Sequence, residues 1–198
     1  MRKYLILLCV FILVCGTIAY ARMSLTVIAG ENAGGGGASC VSGVNDSAIF
    51  DLTGGSSADA ATINATSYLA TRFDLPASYT ITKYILHVTD VDQGGTVTCS
   101  IFTDGGGDTP VSLISNTDVA VGNANITDHP TYEDQEFVLA TPQSLGTDTY
   151  WLHCIGSGGG NDFLSYIVTK AGIVTGVDYS GGYYATHGGA VALYGCAD

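Results

Sequence analysis

Short stretches in which apolar and polar residues alternate recur along most of this chain. Clusters of Gly, Ser, Thr, Asp and Asn separate them, and no segment keeps apolar residues at helical spacing over three turns. Successive side chains of a strand point to opposite faces, so each alternating set defines one face. The pattern therefore predicts an all-β chain with very little helix. The predicted inward sets are Ala48, Phe50 and Leu52; Phe73 and Leu75; Leu86 and Val88; Val97, Cys99 and Ile101; Phe137 and Leu139; Tyr150, Leu152 and Cys154; Val191 and Leu193.

Strands of this kind, separated by turns, favour two antiparallel sheets packed face to face, a jelly-roll-like β-sandwich. We assign this domain to residues 40–198. The four glycines at 34–37 leave the backbone too free to order cheaply, so residues 22–39 are interpreted as a short strand followed by a flexible linker.

The first 21 residues have the three parts of a signal peptide. Arg2 and Lys3 precede an apolar run at residues 4–14, and an A-x-A cleavage pattern ends at Ala21. The alternative, a membrane anchor, needs about 20 apolar residues, and this run is shorter. We predict a signal-peptide helix at residues 1–21 and a secreted or cell-surface protein.

Charge narrows the range of partners. All 18 acidic residues follow the signal peptide, against four basic ones, Arg22, Arg72, Lys83 and Lys170. Nucleic acids and anionic membranes draw affinity from Lys and Arg, so neither is an expected partner. Excess carboxylates that keep a secreted protein soluble are the simpler explanation of this charge.

Four of the six cysteines follow the signal peptide, an even number suited to an oxidising compartment. No two of them have zinc-ligand spacing. Cys99 and Cys154 lie on predicted inward faces, so we predict one disulfide between them and a second between Cys40 and Cys196.

Three stretches resemble the choice-of-anchor or carbohydrate-binding-like jelly-roll domains of bacterial secreted and surface proteins. They are ATRFDLP at 70–76, TVTCSIFTDG at 96–105 and LGTDTYWL at 145–152, and the resemblance covers about residues 67–195. Arg72 departs from it, because the family usually has a small polar residue there, and the last strand lacks the Asp that often begins it. The resemblance implies a β-sandwich and brings no catalytic residues with it.

Acidic residues suggest a calcium site. Asp90 and Asp92 begin a D-x-D-x-G pattern, although a simple hairpin turn also accounts for it. Counting strand reversals places the loops at 122–134 and 156–162 at the same end of the sandwich. The donors gathered there are Asp90, Asp92, Asp128, Glu133, Asp134 and Asp162, with His129 beside them. These residues either bind calcium as a structural ion or form a hydrogen-bonding rim for a polar ligand; no cofactor is required.

Aromatic residues suggest a sugar-binding surface, in which exposed rings stack on pyranose faces. Alternation turns Trp151 and His153 away from the face that carries Cys154, and tyrosines follow at 179–184. The alternative is that Trp151 packs beneath a loop and the tyrosines fill strand ends. The predicted ligand-binding residues are Trp151, His153, Tyr179, Tyr183 and Tyr184.

No catalytic motif is present in the sequence: it has neither G-x-S-x-G nor H-E-x-x-H. We therefore expect a non-catalytic binding or adhesion module that recognises extracellular carbohydrate or another surface polymer. The alternatives are a self-associating structural subunit of an appendage, envelope layer or phage-like particle, and a hydrolase with two facing carboxylates.

Overall fold

The computed structural model describes residues 39–92, 94–106, 109–157, 163–169, 177–179, 182–185 and 187–198, with backbone alone for 57–59, 177–179 and 182–184. The signal-peptide helix and nearly all of the 22–39 segment lie outside these residues, so both stay predictions. Within them the chain is nearly all β, as predicted, and its single helical turn is a 3-10 helix at Asn123–Asn125.

Two antiparallel sheets of seven strands each form the fold. In the first, called sheet A, the order is β1-β14-β4-β10-β13, with β2 also paired to β10 and β8 to β4. In sheet B the order is β12-β11-β3-β9-β5-β6, with β7 also paired to β5. The strands are β1 Ser47–Asp51, β2 Ser56–Ile63, β3 Tyr68–Leu75, β4 Tyr79–Asp90, β5 Thr96–Asp104, β6 Pro110–Leu113, β7 Val119–Gly122, β8 Glu133–Leu145, β9 Asp148–Ser157, β10 Phe163–Thr169, β11 Val177–Tyr179, β12 Gly182–Tyr184, β13 Gly188–Gly189 and β14 Val191–Ala197.

The core lies between the sheets and includes most of the inward residues that alternation predicts, although Leu52 belongs to a separate small cluster. Phe137, Leu86 and Leu193 of sheet A are fully buried, as are Ile101 and Leu152 of sheet B. Leu152 lies opposite Ile101 on the neighbouring strand, so one row of the sheet buries both side chains together.

One predicted inward residue, Ala48, is exposed. The register between β1 and β14 shifts between Ala48 and Phe50, where an extra residue interrupts the pairing. A bulge of this kind reverses the alternation locally. Ile49 and Phe50 therefore both contact the core, although they are neighbours in sequence.

Both predicted disulfides are confirmed. Cys99 and Cys154 lie directly opposite each other on the adjacent strands β5 and β9, with their Cα atoms 4.1 Å apart. Cys40 and Cys196, 156 residues apart in sequence, join the start of the domain to its last strand. Two disulfides fit an extracellular location. The described part of the chain contains no helix long and apolar enough to cross a membrane.

Candidate ligand-binding face

Asp90 and Asp128, two members of the predicted acidic group, form an isolated backbone bridge at one end of the sandwich. Asp90, the last residue of β4, is buried; its N–H donates to the Thr127 carbonyl at 3.0 Å, and its own carbonyl accepts from the His129 N–H at 2.7 Å. At the start of β5, Thr96 pairs with Gly122 on one side and Ser157 on the other. The loops that follow Gly122 and Ser157 therefore begin at the same end as Asp90, as the strand count predicted.

Two of the acidic side chains at this end, Glu133 and Asp134, have separate partners. Glu133 accepts the Thr127 N–H at 2.7 Å, Asp134 pairs with His87, Asp92 is exposed, and Asp162 lies outside the described residues. A shallow depression there is lined by Asn125, Asp128 and Glu133 among others. Within the described ranges, no group of three or more His, Cys, Asp or Glu side chains could hold a metal ion, and calcium binding stays a prediction.

The position of Trp151 corrects the expectation of an exposed indole. Its ring faces away from the core, as alternation predicts, but it is fully buried, so it presents no open face for stacking. The indole N–H donates to Asp104 Oδ1 at 2.8 Å, and Arg72 donates to Asp104 Oδ2 at 3.2 Å. Trp151 is therefore a packed side chain, as in the alternative interpretation, and not an exposed stacking surface.

The other predicted aromatic residues share sheet B with Trp151. His153 lies between two rings, with its centroid 4.7 Å from that of Tyr68 and 5.1 Å from that of Phe102. By backbone register, Tyr179 pairs with Leu69 of β3, while Tyr183 and Tyr184 pair with Asp178 and Val177 of β11. The five predicted ligand-binding residues therefore belong to one sheet, and the use of His153 and the tyrosines in binding stays a prediction.

A second group of rings lies on the outer face of sheet A. Tyr132 stacks on Tyr166 with ring centroids 4.2 Å apart and planes 22° apart. The His87 ring is nearly parallel to both, at 5.7 Å from Tyr132 and 5.9 Å from Tyr166, and the His129 ring meets Tyr132 edge-on at 6.2 Å. We call His87, Tyr132 and Tyr166 the ring cluster.

Strand pairing assembles the ring cluster. Inward-facing Leu86 and Val88 turn His87 outward on β4. Ala190 lies between β4 and β10: it accepts from the His87 N–H and donates to the Tyr166 carbonyl, each at 2.8 Å. Tyr166 also packs against a small apolar cluster of Leu52, Val168 and Ala190.

Tyr132 reaches the ring cluster from the loop that precedes β8. Burial first, and then the neighbouring Tyr166 hydroxyl, raise the pKa of Tyr132, because both disfavour its phenolate. The ring is only partly buried, so part of its surface stays accessible. Tyr132 is thus the member of the cluster that joins the strands to the loop at the acidic end.

Carboxylates flank the ring cluster on β8. Asp134 and Glu136 lie opposite His87 and Ile85 of β4, on the outer face, and their side chains are 52% and 51% exposed. Asp134 Oδ1 lies 2.8 Å from His87 Nδ1, and Glu136 Oε1 lies 2.6 Å from Lys83 Nζ. Partly exposed rings beside half-exposed carboxylates can stack on an apolar sugar face and accept hydrogen bonds from its hydroxyls.

The sequence reasoning missed the ring cluster. The strand set with Leu86 and Val88 already implied that His87 faces outward, but no predicted set included Tyr166. Tyr132 lies outside the strands. Their meeting depends on which strands are neighbours, and a single sequence does not encode that in any local pattern.

The fold and this face define the chain as a disulfide-linked antiparallel β-sandwich with an outward cluster of rings and carboxylates. No protein-family model matches it, and no curated protein shows significant similarity to it.

Proposed function

We propose that this chain is a secreted or cell-surface, non-catalytic module that recognises carbohydrate or another extracellular polymer through the ring cluster. The observation that carries the proposal is the stacked pair Tyr132 and Tyr166 beside the half-exposed carboxylate of Asp134. The two disulfides and the resemblance of residues 67–195 to bacterial surface domains also support it.

The chemistry of sugars fits such a surface. A pyranose has an apolar C–H face and a rim of hydroxyl groups. Aromatic rings contact the first, and carboxylates accept from the second. A partly exposed outer face of a sheet suits a polymer better than a small molecule that must be enclosed, because a long chain can lie across it.

Replacing the ring at the centre of the cluster tests the proposal. We expect Tyr132→Ala to bind glycans identified on an array at least tenfold more weakly, about 1.4 kcal/mol, because the stacking surface is lost. Titration of a glycan hit by calorimetry measures the change, and thermal melting checks that the variant folds.

Tyr79→Ala is the matched control. Tyr79 is also a partly buried tyrosine, but it lies at the start of β4, away from the ring cluster. Its loss should leave glycan affinity within about twofold. Absence of any glycan binding by the unchanged chain, or equal losses in the two variants, would contradict the proposal.

The second candidate function is self-association as a structural subunit. Its support is the short strand β6 at the end of the sheet B order, whose Val111 and Leu113 are 60% and 50% exposed. An apolar strand at a sheet edge can pair with another copy. Concentration-dependent growth in light scattering that Leu113→Glu abolishes would favour this candidate.

A further inference from the structure

The charges around the ring cluster point to one class of glycan: we infer that this face selects uncharged, hydroxyl-rich sugars and rejects sugars that carry carboxylate or sulfate groups. The inference rests on the proposed function, because it concerns the specificity of the same face. It follows from where the charged side chains lie and from how each is paired.

Negative charge on this face is accessible. Asp134 and Glu136 are alternate residues of β8 and share its outer side, and about half of each side chain is exposed. Asp134 is the nearer to the rings, because it contacts His87, a member of the ring cluster.

Positive charge on this face is already engaged. Lys83 Nζ contacts Glu136 at 2.6 Å and lies over the Tyr194 ring, 4.9 Å from its centroid, with only 11% of the side chain exposed. Arg72, the other basic residue of the described ranges, belongs to sheet B and pairs with Asp104. A ligand anion on the ring cluster would therefore meet carboxylates and no accessible Lys or Arg of the described residues.

The two acidic residues contribute unequally. The Glu136 charge is balanced by Lys83, whereas the Asp134 charge is balanced only if His87 carries a proton. Asp134 Oδ1 contacts His87, and about half of the Asp134 side chain is exposed, so its carboxylate can accept from a ligand hydroxyl. Asp134 is thus both an acceptor for neutral sugars and the main source of repulsion for anionic ones.

Matched sugars test this selectivity. The probes are cellohexaose and laminarihexaose, each compared with its C6-oxidised form, in which glucose units become glucuronic acid. We expect the neutral form of a bound glucan to bind about tenfold more tightly at low salt, and the gap to narrow as ionic strength rises, because like charges a few ångströms apart are screened by salt.

Asp134→Asn separates charge from shape, since asparagine keeps the size and one acceptor oxygen. We expect it to reduce the neutral-to-anionic ratio to about threefold or less by improving the binding of the oxidised glucan. Asp148→Asn, an exposed carboxylate on sheet B, should leave the ratio unchanged.

The outcomes distinguish the two proposals. Equal binding of neutral and oxidised glucans, or a ratio that Asp134→Asn leaves unchanged, would overturn the selectivity while Tyr132-dependent binding still supported the proposed function. Failure of both the array glycans and these probes to bind would overturn the proposed function itself.

Discussion

At the scale of single residues, the Asp104 carboxylate is a shared acceptor for three donors of sheet B and the loop beside it. Its side chain is 7% exposed and accepts from the Trp151 indole, the Arg72 guanidinium and the Gly106 N–H. Arg72 lies on β3, and its guanidinium is the charged donor of this set. In this protein that arginine supplies the positive charge that the buried carboxylate needs.

Asp104→Ala removes the acceptor shared by Trp151 and Arg72. We expect the free energy of unfolding to fall by about 1–3 kcal/mol, because buried donors lose a charged partner. Urea unfolding followed by tryptophan fluorescence measures it. Asp74→Ala is the control: this exposed carboxylate bonds Thr149 at 2.7 Å, and its loss should cost no more than about 0.5 kcal/mol. Equal losses would mean that the Asp104 cluster contributes nothing beyond a surface contact.

At the scale of elements, the pairing of β14 with β4 depends on a close approach of two backbones. The register shifts between Tyr194 and Gly195, and a Cβ atom at Gly195 would collide with the Thr80 carbonyl oxygen. Because this neighbour is backbone in a central strand, it cannot move aside cheaply. Glycine at 195 is therefore required by packing.

Gly195→Ala should destabilise the sandwich by about 1–3 kcal/mol, the usual cost of overpacking. Gly146→Ala is the matched control, since a Cβ there has no atom within 4 Å and should change stability little. Thermal melting of the two variants compares them directly. A Gly195→Ala variant that melts with the unchanged protein would show that β14 shifts freely.

At the scale of the whole molecule, the fold raises the pKa of several groups that lose a proton at high pH. Burial raises the pKa of Tyr84, whose hydroxyl donates to the Thr117 carbonyl at 2.8 Å, and burial also raises that of Tyr150. The hydrogen bond to Glu136 raises the pKa of Lys83 above 10.5. In each case the folded chain keeps a proton that the unfolded chain loses, so stability falls as pH rises.

We expect the free energy of unfolding to be steady from neutral pH to about pH 10 and to decrease above it, where unfolded tyrosines ionise. Tyr84→Phe should cost about 1 kcal/mol at neutral pH, from the lost hydrogen bond, and should show a shallower decrease above pH 10. Urea unfolding at intervals from pH 8 to 11.5 gives both curves. Parallel curves for the two proteins would rule out Tyr84 as a source of the alkaline loss.

Much of this fold was predictable because its signals are local. Alternation of apolar residues placed Leu152 and Ile101 on inward faces, and the same faces gave the pairing of Cys99 with Cys154. The bulge at Ala48 was not predictable, since its cause is the register with a strand more than 140 residues later in the chain.

The candidate site was less predictable than the fold. Counting strands placed the loop after Gly122 at the same end as Asp90, but local patterns did not indicate the burial of Trp151 or the meeting of Tyr132 with Tyr166. Alternation indicates which side chains point outward. Whether such a side chain is exposed depends on the residues that pack over it, and these come from distant parts of the chain.

The sequence alone determined that the described domain is β and which face of most strands turns inward, because both depend on periodicity within single strands. The cysteine pairs could be predicted from it, but only the pairing of distant strands fixed them. The tertiary structure decided which outward side chains are accessible. It buried Trp151 and paired Asp104 with Arg72. It also brought His87, Tyr132 and Tyr166 together beside Asp134. The physical reason is that a sheet makes neighbours of residues from distant strands, and only the packing of those strands shows which outward side chains stay accessible.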